Sequence, residues 1–187
     1  MYTAQEALDR LMQGNKEYLE ATRPTGDISP FIRLQTAKDG QHPYAVIITC
    51  SDSRVIPESI FSAGIGDLFV IRTAGNYIDN NILGCIEYAV YHLKTKLVVV
   101  MGHTQCGAIQ AAVGEGAGGT YTLGLCLKLR HNFMRENNPV IACTKNIRCG
   151  VERIREVLTK DEDGETVETD VQVMGALYHT DTGVVEF

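Results

Sequence analysis

The sequence predicts an α/β domain built on a parallel sheet. Three apolar runs rich in β-branched residues lie at Ala45–Thr49, Leu68–Ile71 and Leu97–Met101. These runs are continuous rather than alternating in polarity, which is typical of strands covered on both faces. A stretch with helical periodicity, Ile82–Leu93, separates the second run from the third. Because strand, helix and strand follow one another at this spacing, we expect parallel strands joined by right-handed crossovers.

The segment before the first strand predicts a helix from Thr3 to Glu20. Thr3 and Glu6 have the spacing of a capping box, and apolar residues recur behind them at roughly helical intervals. The apolar stripe of this helix needs a surface to pack on. Residues 22–40 are loop-like, with room for one short helix before Gly40.

The segment after the third strand continues with helices and ends in a hairpin. A helix is expected to begin just beyond Met101, before a glycine-rich loop at Gly114–Gly119. Two further helices and the two strands of the hairpin are predicted at Leu125–Glu136, Lys145–Leu158, Val171–Tyr178 and Val184–Phe187. A length of 187 residues suits one domain, 1–187, with an N-terminal helical arm over about residues 1–40.

Composition and charge exclude several classes of function. The formal net charge is −6, from 17 basic and 23 acidic residues, which argues against binding to nucleic acid or to an anionic membrane. No apolar run is long enough to span a bilayer, and no apolar stretch typical of a signal peptide follows Met1. We therefore expect a cytoplasmic protein. In that reducing compartment, the six cysteines are expected to be thiols or metal ligands rather than disulfides.

Two of the predicted strands end in sequences rich in reactive side chains. The first runs into Cys50-Ser51-Asp52-Ser53-Arg54, and the third runs into Gly102-His103-Thr104-Gln105-Cys106-Gly107. In open parallel sheets, ligands bind beyond the carboxyl ends of the strands. Both segments are therefore expected at one site if the two strands lie side by side.

Cys50, His103 and Cys106 form a ligand set suited to zinc. His103 and Cys106 are three positions apart, which would place them on one face of the first turn of a helix beginning near residue 104. Three protein ligands leave a fourth position open, which is the pattern of a catalytic zinc. From these residues alone a second interpretation stays open, because buried cysteines are common in protein cores and an Asp52–Arg54 pair is more often a surface ion pair.

In combination, the two segments resemble the signature of the β-carbonic anhydrases. The resemblance extends through Leu11–Lys16, Arg72–Asn76, Ile86–Val90 and Val173–Gly183, and it is weakest over Gly114–Val167. Two motifs of this length in the same order are very specific. The resemblance implies a short parallel sheet flanked by helices and extended by C-terminal strands.

By this resemblance, Cys50, His103 and Cys106 hold one zinc ion per chain. The implied activity is the reversible hydration of carbon dioxide to bicarbonate and a proton by attack of a zinc-bound hydroxide, which would make the protein a zinc lyase. Asp52 can only accept hydrogen bonds as a carboxylate, and is expected to orient the hydroxide. Arg54 is expected to hold Asp52 in place through a bidentate contact.

The resemblance also implies a substrate cleft at a subunit interface. Gln41 matches a glutamine that donates a hydrogen bond to the substrate from the partner subunit. Phe69 and Tyr88 match aromatic positions that line the carbon dioxide cleft. The minimal unit of the family is a dimer whose N-terminal helix lies across the partner, so we expect a homodimer or a larger homo-oligomer.

Three alternative functions remain to be weighed. The same site could hydrolyse carbonyl sulfide or carbon disulfide, because these linear triatomic molecules can be attacked by the same nucleophile. A non-enzymatic zinc or thiol sensor would keep the cysteines but has no need for Asp52 and Arg54 together. A nucleotide-binding module is disfavoured, because Gly114–Gly119 follows a helix and lacks the phosphate-loop lysine.

Overall fold

The described part of the chain is built around a five-stranded sheet with the strand order β2-β1-β3-β4-β5. The computed structural model describes residues 1–187 except residues 24, 115–117, 135, 161, 162 and 164. The strands are β1 (Ala45–Cys50), β2 (Leu68–Thr73), β3 (Leu97–His103), β4 (Gln172–Tyr178) and β5 (Val185–Glu186). Neighbouring strands are parallel except β4 and β5, which are antiparallel. The predicted α/β class, parallel core and C-terminal hairpin are confirmed.

Helices cover both faces of the sheet. In the described part of the chain they are α1 (Ala4–Glu20), α2 (Pro30–Asp39), α3 (Pro57–Ile60), α4 (Asn80–Glu87), α5 (Gly107–Val113), α6 (Thr120–Asn132) and α7 (Pro139–Leu158). A 3-10 turn follows β2 at Ala74–Asn76, and a π-helical turn extends α4 at Tyr88–His92. None of the described helices combines the length and the apolar character needed to cross a membrane.

The predicted helices are present, but the residues at which they begin or end differ from the predicted ones. The capping box of α1 is confirmed, since Thr3 and Glu6 make both of its reciprocal bonds. Helix α7 begins at Pro139 rather than at Lys145, because Asn138 caps it and a proline suits the first turn of a helix. Of the predicted glycine-rich loop 114–119, residues 115–117 lie outside the described residues.

The central strands are buried on both faces. All residues of β1 and of β3 are buried. Successive side chains of a strand point to opposite faces. Val46 and Ile48 therefore pack with α4 to α7, and Ala45 and Ile47 pack with α1 and α3. The continuous apolar runs of the sequence thus follow from a three-layer arrangement of helices, sheet and helices.

Helix α1 packs part of its apolar stripe on its own chain. Ala7 and Leu11 are buried in the cluster that covers one face of the sheet. Met12 and Leu19 stay exposed on the same helix. The stripe therefore packs partly on the sheet of its own chain. Only the exposed residues of the stripe are available to contact a second subunit.

The helix after β3 begins later than predicted. Strand β3 continues through His103, which pairs with Tyr178 of β4, and α5 begins at Gly107 with Cys106 as its N-cap residue. Between them, Gln105 has a φ of 56°, a left-handed conformation that does not belong to a right-handed helix. The predicted placement of His103 and Cys106 on one helical turn is therefore wrong.

The Gly14→Ala variant is expected to unfold at a lower denaturant concentration than the wild type. Helix α1 passes so close to the end of α3 that a Cβ at Gly14 would lie 1.9 Å from the carbonyl oxygen of Phe61. Overpacking of this kind costs about 1–3 kcal/mol, and more against rigid backbone. Gly84→Ala is the control: no atom lies within 4 Å of a Cβ there, so up to about 1 kcal/mol of stabilisation is expected from helix propensity. Equal unfolding midpoints for the two variants would contradict the close approach.

Candidate metal centre

Two neighbouring strands bring three candidate ligands to one edge of the sheet. Strands β1 and β3 are hydrogen-bonded and parallel, so Cys50 at the end of β1 and His103 at the end of β3 lie at adjacent strand ends. Cys106 returns to the same edge after the left-handed turn at Gln105. The structure therefore brings together the three residues that the sequence analysis singled out, although from two strand ends and a helix N-cap.

The ligand atoms of these residues form a compact, buried cluster. The Sγ atoms of Cys50 and Cys106 and a ring nitrogen of His103 all lie within 4.8 Å of one another. The two sulfurs are 3.9 Å apart, and two thiolates on a tetrahedral zinc, with bonds of about 2.3 Å, would be about 3.8 Å apart. Both cysteines are 4% exposed and His103 is 0% exposed. The geometry thus suits a small tetrahedral cation.

The hydrogen bonds of His103 leave its Nε2 atom available to a metal. Nδ1 lies 2.9 Å from the carbonyl oxygen of Thr104, which can only accept, so Nδ1 carries the proton and Nε2 has the free lone pair. Nε2 is buried with no hydrogen-bond partner among the described residues. A buried polar atom without a partner is unfavourable, and ligation would satisfy it.

Hydrogen bonds favour the thiolate form of one of the two sulfurs. The bond from Cys106 lowers the pKa of Cys50, and the same bond raises the pKa of Cys106. The backbone N–H of Gly75, 3.3 Å from the Cys50 sulfur, also lowers the pKa of Cys50. Backbone N–H groups of Ala108 and Ile109 in the first turn of α5 oppose the rise at Cys106. One sulfur is thus readily ionised, and a divalent cation would favour the thiolate form of both.

Asp52 lies beside the cluster and is held by Arg54. Two guanidinium nitrogens of Arg54 donate to the two carboxylate oxygens at 2.9 and 2.8 Å, and its backbone N–H donates at 3.0 Å. Arg54 also donates to the carbonyl oxygen of Gln105 at 3.1 Å, in the turn that leads to Cys106. The side-chain bonds from Arg54 hold the pKa of Asp52 well below its usual range. The ion pair is thereby connected to the cluster.

The carboxylate of Asp52 faces the cluster without belonging to it. Its Oδ2 atom lies 3.9 Å from Nε2 of His103. The converging group found among the described residues comprises Cys50, His103 and Cys106. Because Arg54 binds both oxygens of Asp52, the carboxylate is held at this distance from the imidazole.

The donor set fits zinc. Two thiolates and one neutral imidazole are ligands that zinc prefers, and three protein ligands leave one position for water or substrate. The unpartnered Nε2 of His103 and the spacing of the sulfurs are both accounted for by such an ion.

Comparison with known proteins identifies the family. The carbonic anhydrase family model matches residues 45–185, from the start of β1 into β5. A tetrameric β-carbonic anhydrase from Sordaria macrospora has the same fold, with a TM-score of 0.69 and 29% identity over 84% of this chain and 86% of that chain. The chain belongs to the β-carbonic anhydrase family.

Other members of this family are similar over part or most of the chain. Carbonic anhydrase 2 of Mycobacterium tuberculosis is 46% identical over 110 residues, which is 59% of this chain and 53% of that protein. The Coccomyxa β-carbonic anhydrase, solved with acetazolamide, has a TM-score of 0.61 and 28% identity over 87% of this chain and 86% of that chain. The chain spans about half the length of the curated relatives it matches.

Phe69, one of the candidate substrate residues, lies apart from the candidate metal centre of the same chain. Phe69 and Tyr88 contact each other, with ring centroids 6.1 Å apart. Phe69 pairs with Val46, four residues before Cys50 on β1, and this spacing corresponds to about 13 Å along a strand. Gln41 is exposed in the segment before β1. The predicted role of these residues in the β-carbonic anhydrase cleft stays a prediction, and it requires a second subunit.

Arg72 holds the backbone of the site, a role that the sequence analysis did not assign. Its guanidinium donates to the carbonyl oxygen of Cys50 at 3.2 Å and to that of Asp52 at 2.7 Å. Both contacts restrain the chain as it leaves β1. The sequence could have suggested this role, because Arg72 lies near the end of β2 and the ends of neighbouring parallel strands meet at one edge of the sheet.

Proposed function

We propose that this member of the β-carbonic anhydrase family binds one zinc ion per chain and catalyses the reversible hydration of carbon dioxide to bicarbonate and a proton. The observation that carries the proposal is the buried cluster of Cys50, His103 and Cys106 next to a carboxylate, Asp52, that Arg54 holds in place. A zinc site that served only a structural or sensing role would have no use for that carboxylate. When bound, zinc supplies a water molecule acidic enough to act as a nucleophile.

The residues of the chain position the reacting groups. The carbonyl oxygen of Thr104 keeps the proton of His103 on Nδ1 and thereby leaves Nε2 as the ligand atom. Asp52 stays ionised beside Arg54, so its Oδ2 atom can only accept a hydrogen bond. Oδ2 would therefore accept the O–H of the attacking nucleophile and leave one lone pair of its oxygen to face carbon dioxide. Arg54 keeps the carboxylate from rotating.

The substrate pocket is completed by a second copy of the chain. Phe69 pairs with Val46, about 13 Å along the sheet from Cys50 of its own chain. Tyr88, which contacts Phe69, is 46% exposed, and Gln41 is exposed in the segment before β1. Residues placed in this way can contact a substrate only at the metal centre of a partner subunit. This arrangement requires a homodimer or a larger homo-oligomer, and the tetrameric Sordaria macrospora relative supports such an assembly.

The Phe31→Glu, Leu34→Glu double variant is expected to sediment as a smaller species than the wild type. Helix α2 has no buried residue, and Phe31 and Leu34 are 74% and 70% exposed in the single chain. Exposed apolar side chains of this size on one short helix are typical of an interface, where buried charges would be unfavourable. Gln35→Glu, on the same helix, is the control and should assemble like the wild type. An active wild-type monomer at micromolar concentration would contradict the assembly.

Stopped-flow measurement of carbon dioxide hydration, with zinc content determined on the same sample, tests the proposed reaction. We expect activity proportional to zinc content, approaching one zinc per chain. Full activity in metal-free protein would contradict the proposal. Hydrolysis of carbonyl sulfide or carbon disulfide without hydration of carbon dioxide would favour the alternative hydrolase. The single domain over residues 1–187, with an arm of about residues 1–40, and the cytoplasmic location stay predictions.

A further inference from the structure

A buried asparagine of α7 is connected to the candidate metal centre through one backbone residue. Asn146 is 2% exposed, and its Nδ2 atom donates to the carbonyl oxygen of Gly75 at 2.9 Å. The N–H of the same Gly75 donates to the sulfur of Cys50 at 3.3 Å. Asn132 of α6 donates to Oδ1 of Asn146 at 2.9 Å, which determines how the Asn146 amide is oriented. A continuous line of hydrogen bonds thus runs from α6 to a candidate zinc ligand.

The turn that contains Gly75 needs contacts from other segments of the chain to hold its conformation. Gly75 has a φ of 67° and Asn76 has a φ of 43°, so two successive residues are left-handed, and this region is unfavourable for a residue with a side chain. The turn is also packed closely, since a Cβ on Gly75 would lie 2.9 Å from Cδ1 of Leu129. Strained turns persist where surrounding contacts hold them. The Asn146 amide is such a contact, and it acts on the residue whose N–H faces the sulfur.

We infer that Asn146 is a positioning residue for the metal ligand Cys50 and acts through Gly75. The inference rests on the zinc site proposed above. A hydrogen bond from an N–H group to a thiolate withdraws electron density from the sulfur and restrains its orientation. Loss of Asn146 would leave the buried carbonyl of Gly75 without this donor and free the turn to move its N–H away from the sulfur. Partners that orient metal ligands typically change metal affinity or activity by about 10- to 100-fold.

Asn15 provides a matched control for a purely structural role. It is also buried, and its Nδ2 atom donates to the carbonyl oxygens of Ile60 and Gly183 at 3.2 and 2.9 Å. It lies on α1, in the layer on the opposite face of the sheet from α7. Asn15→Leu and Asn146→Leu therefore both remove buried amide–backbone bonds, one in the layer on the opposite face of the sheet and one connected to Cys50.

The test uses the full chain in its zinc form and with cobalt(II) substituted for zinc. For Asn146→Leu we expect the sulfur-to-cobalt charge-transfer band to move to lower energy, because the thiolate becomes more electron-rich. We expect zinc release to an excess of chelator to be about 10-fold faster, because the loss of the restraint on the sulfur's orientation outweighs its gain in donor strength. Asn15→Leu should lower the unfolding midpoint but keep the wild-type band and the wild-type release rate.

Two milder variants keep the test decisive if Asn146→Leu does not fold. Asn146→Ser should show the same shifts, and Asn132→Ala, at a half-buried position, should show smaller shifts in the same direction. Wild-type spectra and zinc release in the variants that fold would overturn the inference and leave Asn146 with a structural role only. A wild-type chain that binds neither zinc nor cobalt would overturn the proposed function itself, which distinguishes the two failures.

Discussion

The Cys106→Ala variant is expected to purify almost free of zinc and without measurable hydration of carbon dioxide. Cys106 supplies one of the two sulfurs of the converging group, and alanine offers no ligand atom in its place. The two remaining candidates, Cys50 and His103, are fewer ligands than the three protein side chains of a catalytic zinc site. Zinc content by elemental analysis and stopped-flow activity, measured on the same sample, check this expectation.

Cys126→Ala is the matched control for the loss of a buried thiol. Cys126 is 6% exposed and lies on α6, outside the converging group. Its replacement should keep about one zinc per chain and near wild-type turnover, whatever it does to stability. Normal zinc content in Cys106→Ala would show that the metal binds elsewhere, and the proposed centre would be wrong.

The Asp52→Asn variant is expected to keep its zinc and to lose on the order of 10²-fold or more in turnover. Asparagine keeps the shape of the side chain but can donate as well as accept, so it no longer enforces the orientation of the nucleophile. It also loses the charge that pairs with Arg54 in the native site. Arg54→Ala should be at least as damaging, because a freed Asp52 can turn towards the metal and occupy its open position.

Asp67→Asn is the control for the loss of a carboxylate that pairs with arginine. Oδ2 of Asp67 accepts a hydrogen bond from the guanidinium of Arg10 at 3.0 Å. Asp67 belongs to the segment before β2, outside the candidate centre. We expect full activity from this variant. Activity near the wild-type level in Asp52→Asn would make Asp52 a bystander. Loss of zinc in that variant would instead identify Asp52 as a fourth ligand.

The strands and the candidate ligands were the most predictable features. Strands β1 and β3 are covered on both faces, so each is a continuous apolar run in the sequence. Such a run can be recognised without knowing which segments cover the strand. Cys50 and His103 end two of these runs, so the parallel sheet brings them to one edge. The grouping of the Cys50 thiol with the His103 imidazole follows from strand order and needs no knowledge of the helices.

The path from His103 to Cys106 could not be predicted from spacing. A separation of three residues suits a helical turn, yet the pairing of His103 with Tyr178 keeps the strand extended to its last residue. The chain then reverses through the left-handed Gln105. A long-range strand contact therefore outweighed the local helical preference, and the helix begins only after Cys106.

By itself, the sequence determined the α/β class, the order of strands along the chain, and which side chains are candidates for the chemistry, because these depend on local polarity and on residue type. The tertiary structure decided which distant residues support those side chains. Arg72 restrains the backbone of Cys50, and the buried Asn146 reaches the turn whose N–H donates to the sulfur of Cys50. Both contacts join residues that are far apart in the sequence, and such pairings arise only when the packed sheet and helices bring distant segments within hydrogen-bond distance.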